Sequence, residues 1–299
     1  MQVFVTGASG FVGSAVVAEL VGAGHAVTGL VRSEAAAAAL RAAGGAPLHG
    51  ELADTAGLAR AAAAAEAVVH TAFVHDFDNF AASVALDREV IGAMGGALEG
   101  SGKPFLVTSG IGLLQSGDGP GTEETPAART GHAALRGANE ELVHGLAARG
   151  VRAGVLRLPP SVHGAGDHGF VPCLVALARR SGVSAWIGEG TNRWSAVHRA
   201  DAARLYRAAL ERGEPGQNHH AVGETGLPFR EIAEAIGRGL GLPTVSVPEA
   251  EAGAHFGWIA AFVAREMAAT ARLTAQRLGW GAEGPGLLED MAASGYFDA

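Results

Sequence analysis

Gly7, Gly10 and Gly13 fall at G-x-x-G-x-x-G spacing in "TGASGFVG", between the strand-like run "QVFVTG" and an amphipathic stretch that opens at Phe11. Binding a pyrophosphate calls for this arrangement. Glycine allows a tight turn, lets the backbone approach the phosphates and leaves the helix free to pack on the sheet. The N–H groups around Ser9, Gly10, Phe11, Val12 and Gly13 would then face the phosphate charge. The strand before the triplet and the helix after it identify the stretch as a nucleotide-binding loop. The second apolar run ends in "LVRS". An acid there would hold the ribose hydroxyls of NAD, whereas Arg32 and Ser33 offer a guanidinium and a hydroxyl suited to a 2′-phosphate. NADP(H) is therefore the expected cofactor, with NAD(H) left open.

The elements that must position these residues are legible as alternating apolar runs and helical stretches. Strands are expected at 2–7, 26–32, 47–52, 67–72, 104–109 and 152–159, with helices from 11 to 23, after Ser33, after the N-cap Asp54, near 81–100 and near 131–149. Near-continuous Val/Ile/Leu strands separated by helices predict an α/β fold, a doubly wound parallel sheet of the Rossmann kind. After Pro159 the pattern changes to the Gly/Pro/His-rich "RLPPSVHGAGDHGFVP", a helix at 170–181, the strand "RWSAVH" at 193–198, a helix at 201–212 and "NHHAVG" at 218–223. Residues 1–160 are expected to form the dinucleotide-binding domain, with parts of 193–222 returning to it. Residues 161–299 are expected to form mostly a smaller substrate domain.

Composition narrows the function classes. The 299 residues are 48% hydrophobic and 17% charged, with a formal net charge of −8 and interspersed signs, which argues against nucleic acid or an anionic membrane as partner. The single cysteine, Cys173, excludes an internal disulfide and a thiolate metal cluster. No signal-peptide pattern and no spanning apolar run is present, so a cytoplasmic location is expected. Adjacent His219 and His220 fall on opposite faces of a strand, which disfavours a metal pair. No metal is expected.

Taken together, these motifs resemble the extended short-chain dehydrogenase/reductase family, with its NAD-dependent epimerase/dehydratase group and atypical reductase members. "TGASGFVG" matches T-G-x-x-G-x-x-G. "GELAD" (50–54) is similar to the segment lining the adenine, with Glu51 for the usual Asp. "VVHTA" (68–72) resembles the strand under the adenosine ribose, "LRLPPSVHG" (156–164) the loop touching the nicotinamide, and "AVHRADAARLYRAAL" (196–210) the H-V-x-D-V-A segment. The resemblance implies cofactor contacts from Glu51, Leu52, Thr71, Ala72, Pro159 and Val162.

The family's Y-x-x-x-K is missing. Setting Glu140 of "RGANEELV" on the Glu that normally follows this motif puts Arg136 on the Lys position and His132 on the Tyr position, one helical turn apart. Arg136 could hold the ribose hydroxyls but not exchange a proton, while His132 could deliver one to a nascent alkoxide. Thr108 and Ser109 of "VTSGIG" are the candidate carbonyl-polarising hydroxyls, unless Gly110 takes that slot. Tyr206 and Tyr296 lie far along the chain, and neither has Lys four residues on. In the presumed substrate loop His163, Asp167 and His168 are further donors, and His198 matches a structural position. Phe73, Phe170, Trp186 and Trp194 would wall an apolar pocket.

These residues point to an NADP(H)-dependent oxidoreductase that reduces a carbonyl, or another polarised double bond, of a small apolar molecule. Two alternatives stay open: a nucleotide-sugar epimerase/dehydratase, for which Arg193 and Arg199 could serve a diphosphate, and a non-catalytic NADP(H)-binding sensor. Beyond a small-molecule substrate no partner is implied, and the protein is expected to be a monomer or homodimer.

Overall fold

The computed structural model describes every residue except Phe77, Ser116 and Ala299, and every side chain of the described residues except that of His132. The apolar runs become a parallel sheet. Its strands are β1 (Gln2–Thr6), β2 (Ala26–Val31), β3 (Ala46–His49), β4 (Ala67–His70), β5 (Pro104–Gly110) and β6 (Arg152–Leu158), joined by helices α1 (Phe11–Gly22), α2 (Glu34–Ala42), α3 (Thr55–Ala64), α4 (Phe80–Ala97) and α5 (Gly131–Ala147). Every residue of β4 is buried and β1 is buried from Val3 to Thr6. Such strands need helices on both faces. One apolar core lies under α1 and α2, and a second lies under α3, α4 and α5.

The chain then leaves the sheet through β7 (Ser161–His163), α6 (Phe170–Ser181), β8 (Ser184–Ile187) and β9 (Arg193–His198). It returns through α7 (Arg199–Arg212), which packs on α1, and β10 (Asn218–His220), which pairs with β6. The sheet therefore has seven strands in the order β10-β6-β5-β4-β1-β2-β3. The remaining elements are β11 (Glu224–Pro228), α8 (Phe229–Leu240), β12 (Thr244–Val247), α9 (Ala252–Phe256), α10 (Ala260–Val263), α11 (Arg272–Leu278) and α12 (Leu287–Ala293). A third apolar core joins α6, α8, α9 and α12.

Two differences from the expected elements have local causes. The third strand stops at His49 rather than residue 52, because the Asp54 side chain accepts from Gly57 N at 2.9 Å and opens α3 instead. The stretch after 223, for which no strand is expected, contains β11 and β12; the latter pairs in parallel with β8, about sixty residues earlier. Among the described residues no helix is long and apolar enough to cross a membrane.

Candidate active site

The loop from β1 to α1 is built around backbone proximity. Gly7 has φ +71°, and a Cβ on it would lie 2.6 Å from Thr71 Oγ1 and 2.7 Å from Ala72 N. A Cβ on Gly13 would run into the Gly7 carbonyl. Thr71, whose hydroxyl donates to Thr6 O at 2.8 Å, and Ala72 thus form the floor against which the loop closes. Gly10 differs: an added Cβ would meet only Gly7 O, at 3.2 Å, and would otherwise project into open space. No side chain caps α1 and its first turn carries no acid. The first N–H groups, from Phe11, Val12 and Gly13, border this cradle, and their partial positive charge suits a pyrophosphate.

At the end of β2, Arg32 is exposed and makes no ion pair with another described residue. Ser33 caps α2, its hydroxyl oxygen accepting from Ala36 N at 3.2 Å. The nearest acid, Glu34, is turned toward His49 at 3.2 Å and Arg41 at 3.9 Å. Glu51 is exposed and Leu52 half-buried just beyond β3.

A polar chain that sequence reading did not find runs beneath the loop. Thr6 Oγ1 lies 2.6 Å from His70 Nδ1, His70 Nε2 lies 3.0 Å from Asp87 Oδ1, and Asn139 Nδ2 donates to Asp87 Oδ2 at 2.8 Å. Burial alone would push the Asp87 carboxyl up in pKa. The hydrogen bond and charge of His70, with Arg136 and Asn139, outweigh it and hold the carboxyl below its ordinary range. The signal was present only as a polar residue ending an apolar strand at His70. Its partners, Asp87 and Thr6, lie 17 and 64 residues away.

Arg136 lies on α5, with its guanidinium carbon 3.9 Å from the centroid of the Phe73 ring. Its Nη2 is 3.5 Å from Thr108 O, at the limit of a hydrogen bond, and its buried Nε has no partner. Burial lowers the pKa of this guanidinium, against the opposing charges of Asp87 and Glu140. The arginine is held by stacking with donor capacity left over, as a side chain that grips a ribose would be. The His132 side chain lies outside the described residues.

Ser109 and Thr108, expected to polarise a substrate carbonyl, instead bond inward. Ser109 is buried and donates to Glu140 Oε1 at 2.5 Å; Glu140 in turn takes a two-pronged contact from Arg157, Nε to Oε1 at 3.1 Å and Nη2 to Oε2 at 2.6 Å. Thr108 donates to His70 O at 2.7 Å and shares a 2.7 Å hydrogen bond with the buried Tyr206 hydroxyl. A buried ion pair and a buried phenol each need these partners to satisfy their polar atoms. Gly110 follows, with its nearest would-be Cβ contact at 3.8 Å, and carries no hydroxyl.

Three of the expected pocket residues are core residues. His163 is fully buried on β7, its Nδ1 2.8 Å from Asp290 Oδ2 of α12 and its ring 5.5 Å from that of His198. Trp194 is fully buried, donates Nε1–H to Phe262 O at 3.2 Å and meets Phe229 edge-on. Trp186 is buried and donates to Gly188 O at 3.0 Å. Pro159 is buried and Val162 half-buried where β6 passes into β7. Phe170 is half-buried against Phe262 and Trp258, with centroids 4.7 and 6.2 Å away. His168 is exposed and rests its edge on Phe11 at 5.7 Å, while Arg199 lies 5.1 Å from the same ring. Tyr296 donates to Asp167 Oδ2 at 2.8 Å and accepts from Gly164 N at 3.2 Å, pinning the loop that carries His168. His219 and His220 are both depressed to about 4 by burial, with neighbouring arginines adding to it. Among the described residues no group of three His, Cys, Asp or Glu side chains could hold a metal ion.

The structure also adds residues. His75 sits 5.2 Å from the Phe73 ring, edge-on, and is acted on by the charges of Arg136 and His168. Val74 and Leu135, the immediate neighbours of Phe73 and Arg136, are exposed at 41% and 46%, and Trp258 beside Phe170 at 52%. Exposed large apolar side chains next to such polar groups suit an apolar ligand.

Comparison with known proteins bears on the family and the fold. The sequence model described as "NAD dependent epimerase/dehydratase family" matches residues 3–223. An uncharacterized protein of Schizosaccharomyces pombe is 47% identical over 299 residues, covering 99% of this chain and 100% of that one. A 4-hydroxy-2-methyl-3-oxo-4-farnesyl-3,4-dihydroquinoline-1-oxide ketoreductase of Stigmatella aurantiaca is 28% identical, covering 86% of this chain and 80% of its own. The crystal structure of a dTDP-glucose 4,6-dehydratase from Streptomyces venezuelae, with NAD bound, superposes with TM-score 0.80 at 19% identity, covering 99% of this chain and 96% of that one; at that identity the likeness speaks for the fold.

Proposed function

Because this chain belongs to the NAD dependent epimerase/dehydratase family, we propose that it is an NADP(H)-dependent reductase of a carbonyl, or another polarised double bond, in a small apolar molecule. The observation that carries the reading is Arg136 stacked on Phe73 with its buried Nε unpartnered, in a chain that also has the open cradle above Gly10.

When bound, the nicotinamide supplies the hydride. The chain's own residues bind and orient. The N–H groups at the start of α1 hold the pyrophosphate, and the exposed Arg32, which makes no ion pair with another described residue, receives the 2′-phosphate together with the Ser33 hydroxyl proton. Arg136 donates to the ribose hydroxyls through the groups that the protein leaves unsatisfied. Phe73, Val74, Leu135, Phe170 and Trp258 supply apolar surface for the substrate. This composition suits a molecule such as the one named for the Stigmatella ketoreductase better than a sugar nucleotide. Sugar-nucleotide chemistry of the family type also relies on a tyrosine. Both tyrosines of this chain are engaged internally, Tyr206 with Thr108 and Tyr296 with Asp167.

The test is equilibrium titration with NADPH and NADH, followed by NADPH consumption against a panel of long-chain and aromatic aldehydes and ketones. Tighter NADPH binding and turnover of at least one apolar carbonyl are expected. Tighter NADH binding would overturn the cofactor assignment; retained NADPH binding without turnover on the whole panel would favour a sensor.

A further inference from the structure

We infer that Arg265 binds a carboxylate of the substrate, so that the molecule reduced is an oxo acid, an apolar carbonyl compound carrying one anionic group. The inference rests on the reductase reading above and narrows its substrate class.

The segment after α10 crosses from one apolar core to the end of the parallel sheet. Val263 and Met267, on either side of Arg265, are buried in the core that joins α6, α8, α9 and α12. The backbone of Arg265 is fixed at both ends: its N–H donates to Phe262 O at 3.0 Å, and its carbonyl accepts from Asn192 Nδ2 at 3.1 Å. Its half-buried side chain extends to the turn that continues β5, where Nη2 donates to Leu114 O at 3.4 Å. Met267 Sδ lies against the same turn, 3.3 Å from where a Cβ on Gly112 would stand. Leu114 in turn pairs with Ala127, and Ala127 packs on α5 at Gly137, the residue after Arg136. Two guanidinium groups therefore reach the carboxyl end of β5, Arg136 from α5 at Thr108 O and Arg265 from the segment after α10 at Leu114 O. Ligands of open parallel sheets bind beyond the carboxyl ends of the strands. Apolar surface for the rest of such a molecule lies beside Arg265, where Phe262 meets Phe170 at 4.7 Å.

Charge identifies the ligand group. Arg265 makes no ion pair with a described residue, and its one side-chain hydrogen bond is long. The adjacent acid, Glu266, is turned away to Arg193, accepting from Nε at 3.1 Å and from the backbone N at 2.9 Å. Burial lowers the pKa of Arg265 without an opposing acid, whereas Asp87 and Glu140 oppose it at Arg136. A guanidinium stays protonated at neutral pH, so a partly desolvated one lacking a counter-charge favours an anion from outside. A carboxylate matches its fork with two parallel N–H···O bonds, and one negative charge leaves no excess in apolar surroundings.

The test is steady-state kinetics with NADPH on a series of aliphatic and aromatic oxo acids, each beside its methyl ester. The acids should be preferred, with a KM that rises as salt is added. Arg265→Gln should lower the acid-over-ester ratio of kcat/KM by about 30-fold, through KM rather than kcat, and remove the salt dependence. Arg265→Lys, which keeps the cation without the fork, should recover part of the ratio. A structural role would lower acid and ester alike and leave the ratio where it was. Wild-type preference for the esters, or a ratio unchanged in either variant, would overturn the proposal and leave the reductase reading standing. Binding of UDP or dTDP that is lost in Arg265→Gln would also overturn it, assigning the arginine to a diphosphate. Failure of the wild-type protein to reduce any acid or ester would remove the reductase reading itself, and the proposal with it.

Discussion

The Arg136 guanidinium carbon lies over the Phe73 ring, 3.9 Å from its centroid, and this contact joins helix α5 to the loop after β4. A partly buried cation–π contact of this kind contributes about 1–2 kcal/mol.

The stack makes Arg136 and Phe73 energetically coupled. Arg136→Ala should weaken NADPH binding about tenfold or more, in line with the loss of a charged hydrogen bond. Phe73→Leu should weaken it less, and the double variant should fall short of the sum of the two effects. Calorimetric titration of the four proteins checks the non-additivity.

Cofactor choice should turn on Arg32. Arg32→Asp removes the cation and adds a carboxylate where the ribose diol of NADH would lie, so the NADPH/NADH affinity ratio should drop by about two orders of magnitude. A ratio unchanged in the variant would show that the 2′ position is read elsewhere.

Gly13→Ala drives a methyl into the Gly7 carbonyl. The loop must open, at a cost on the order of 2 kcal/mol, which should appear as a lower melting temperature and loss of cofactor binding. Gly10→Ala meets only Gly7 O at 3.2 Å and should keep most of the stability while still losing phosphate affinity.

Glu140 ties Ser109 to Arg157 in the interior. Glu140→Gln leaves the buried guanidinium without its counter-charge and should destabilise the fold by about 3 kcal/mol or more, read as a shift of the urea midpoint. Ser109→Ala removes a hydrogen bond to that carboxylate and should cost about 1.5–3 kcal/mol.

Acid should weaken the fold before the carboxylates titrate. His219 and His220 are held to about 4 by burial, against 6.5 in the unfolded chain, so unfolding takes up protons between these values. Stability is complete above 6.5 and is lost as the pH falls toward 4. Both His219 ring nitrogens are buried without a partner. His219→Leu should therefore flatten the dependence of the urea midpoint on pH over this window.

The sequence by itself determined the parallel sheet, the glycine loop and the departure from Y-x-x-x-K, because these depend on local periodicity, on φ-permissive residues at fixed spacing and on which residue types are present at all. The tertiary structure decided which polar and aromatic side chains face a ligand. His163, in the loop read as substrate-contacting, and Trp194, read as a pocket wall, are buried because their partners, Asp290 and the Phe262 carbonyl, come from 127 and 68 residues away. Ser109 turns inward because Glu140 and Arg157 must be satisfied there. His75, unremarkable in the sequence, gains its setting only when α5 lays Arg136 across Phe73. A side chain's direction is set by where its hydrogen-bonding and packing partners end up, and those partners are distant in the chain.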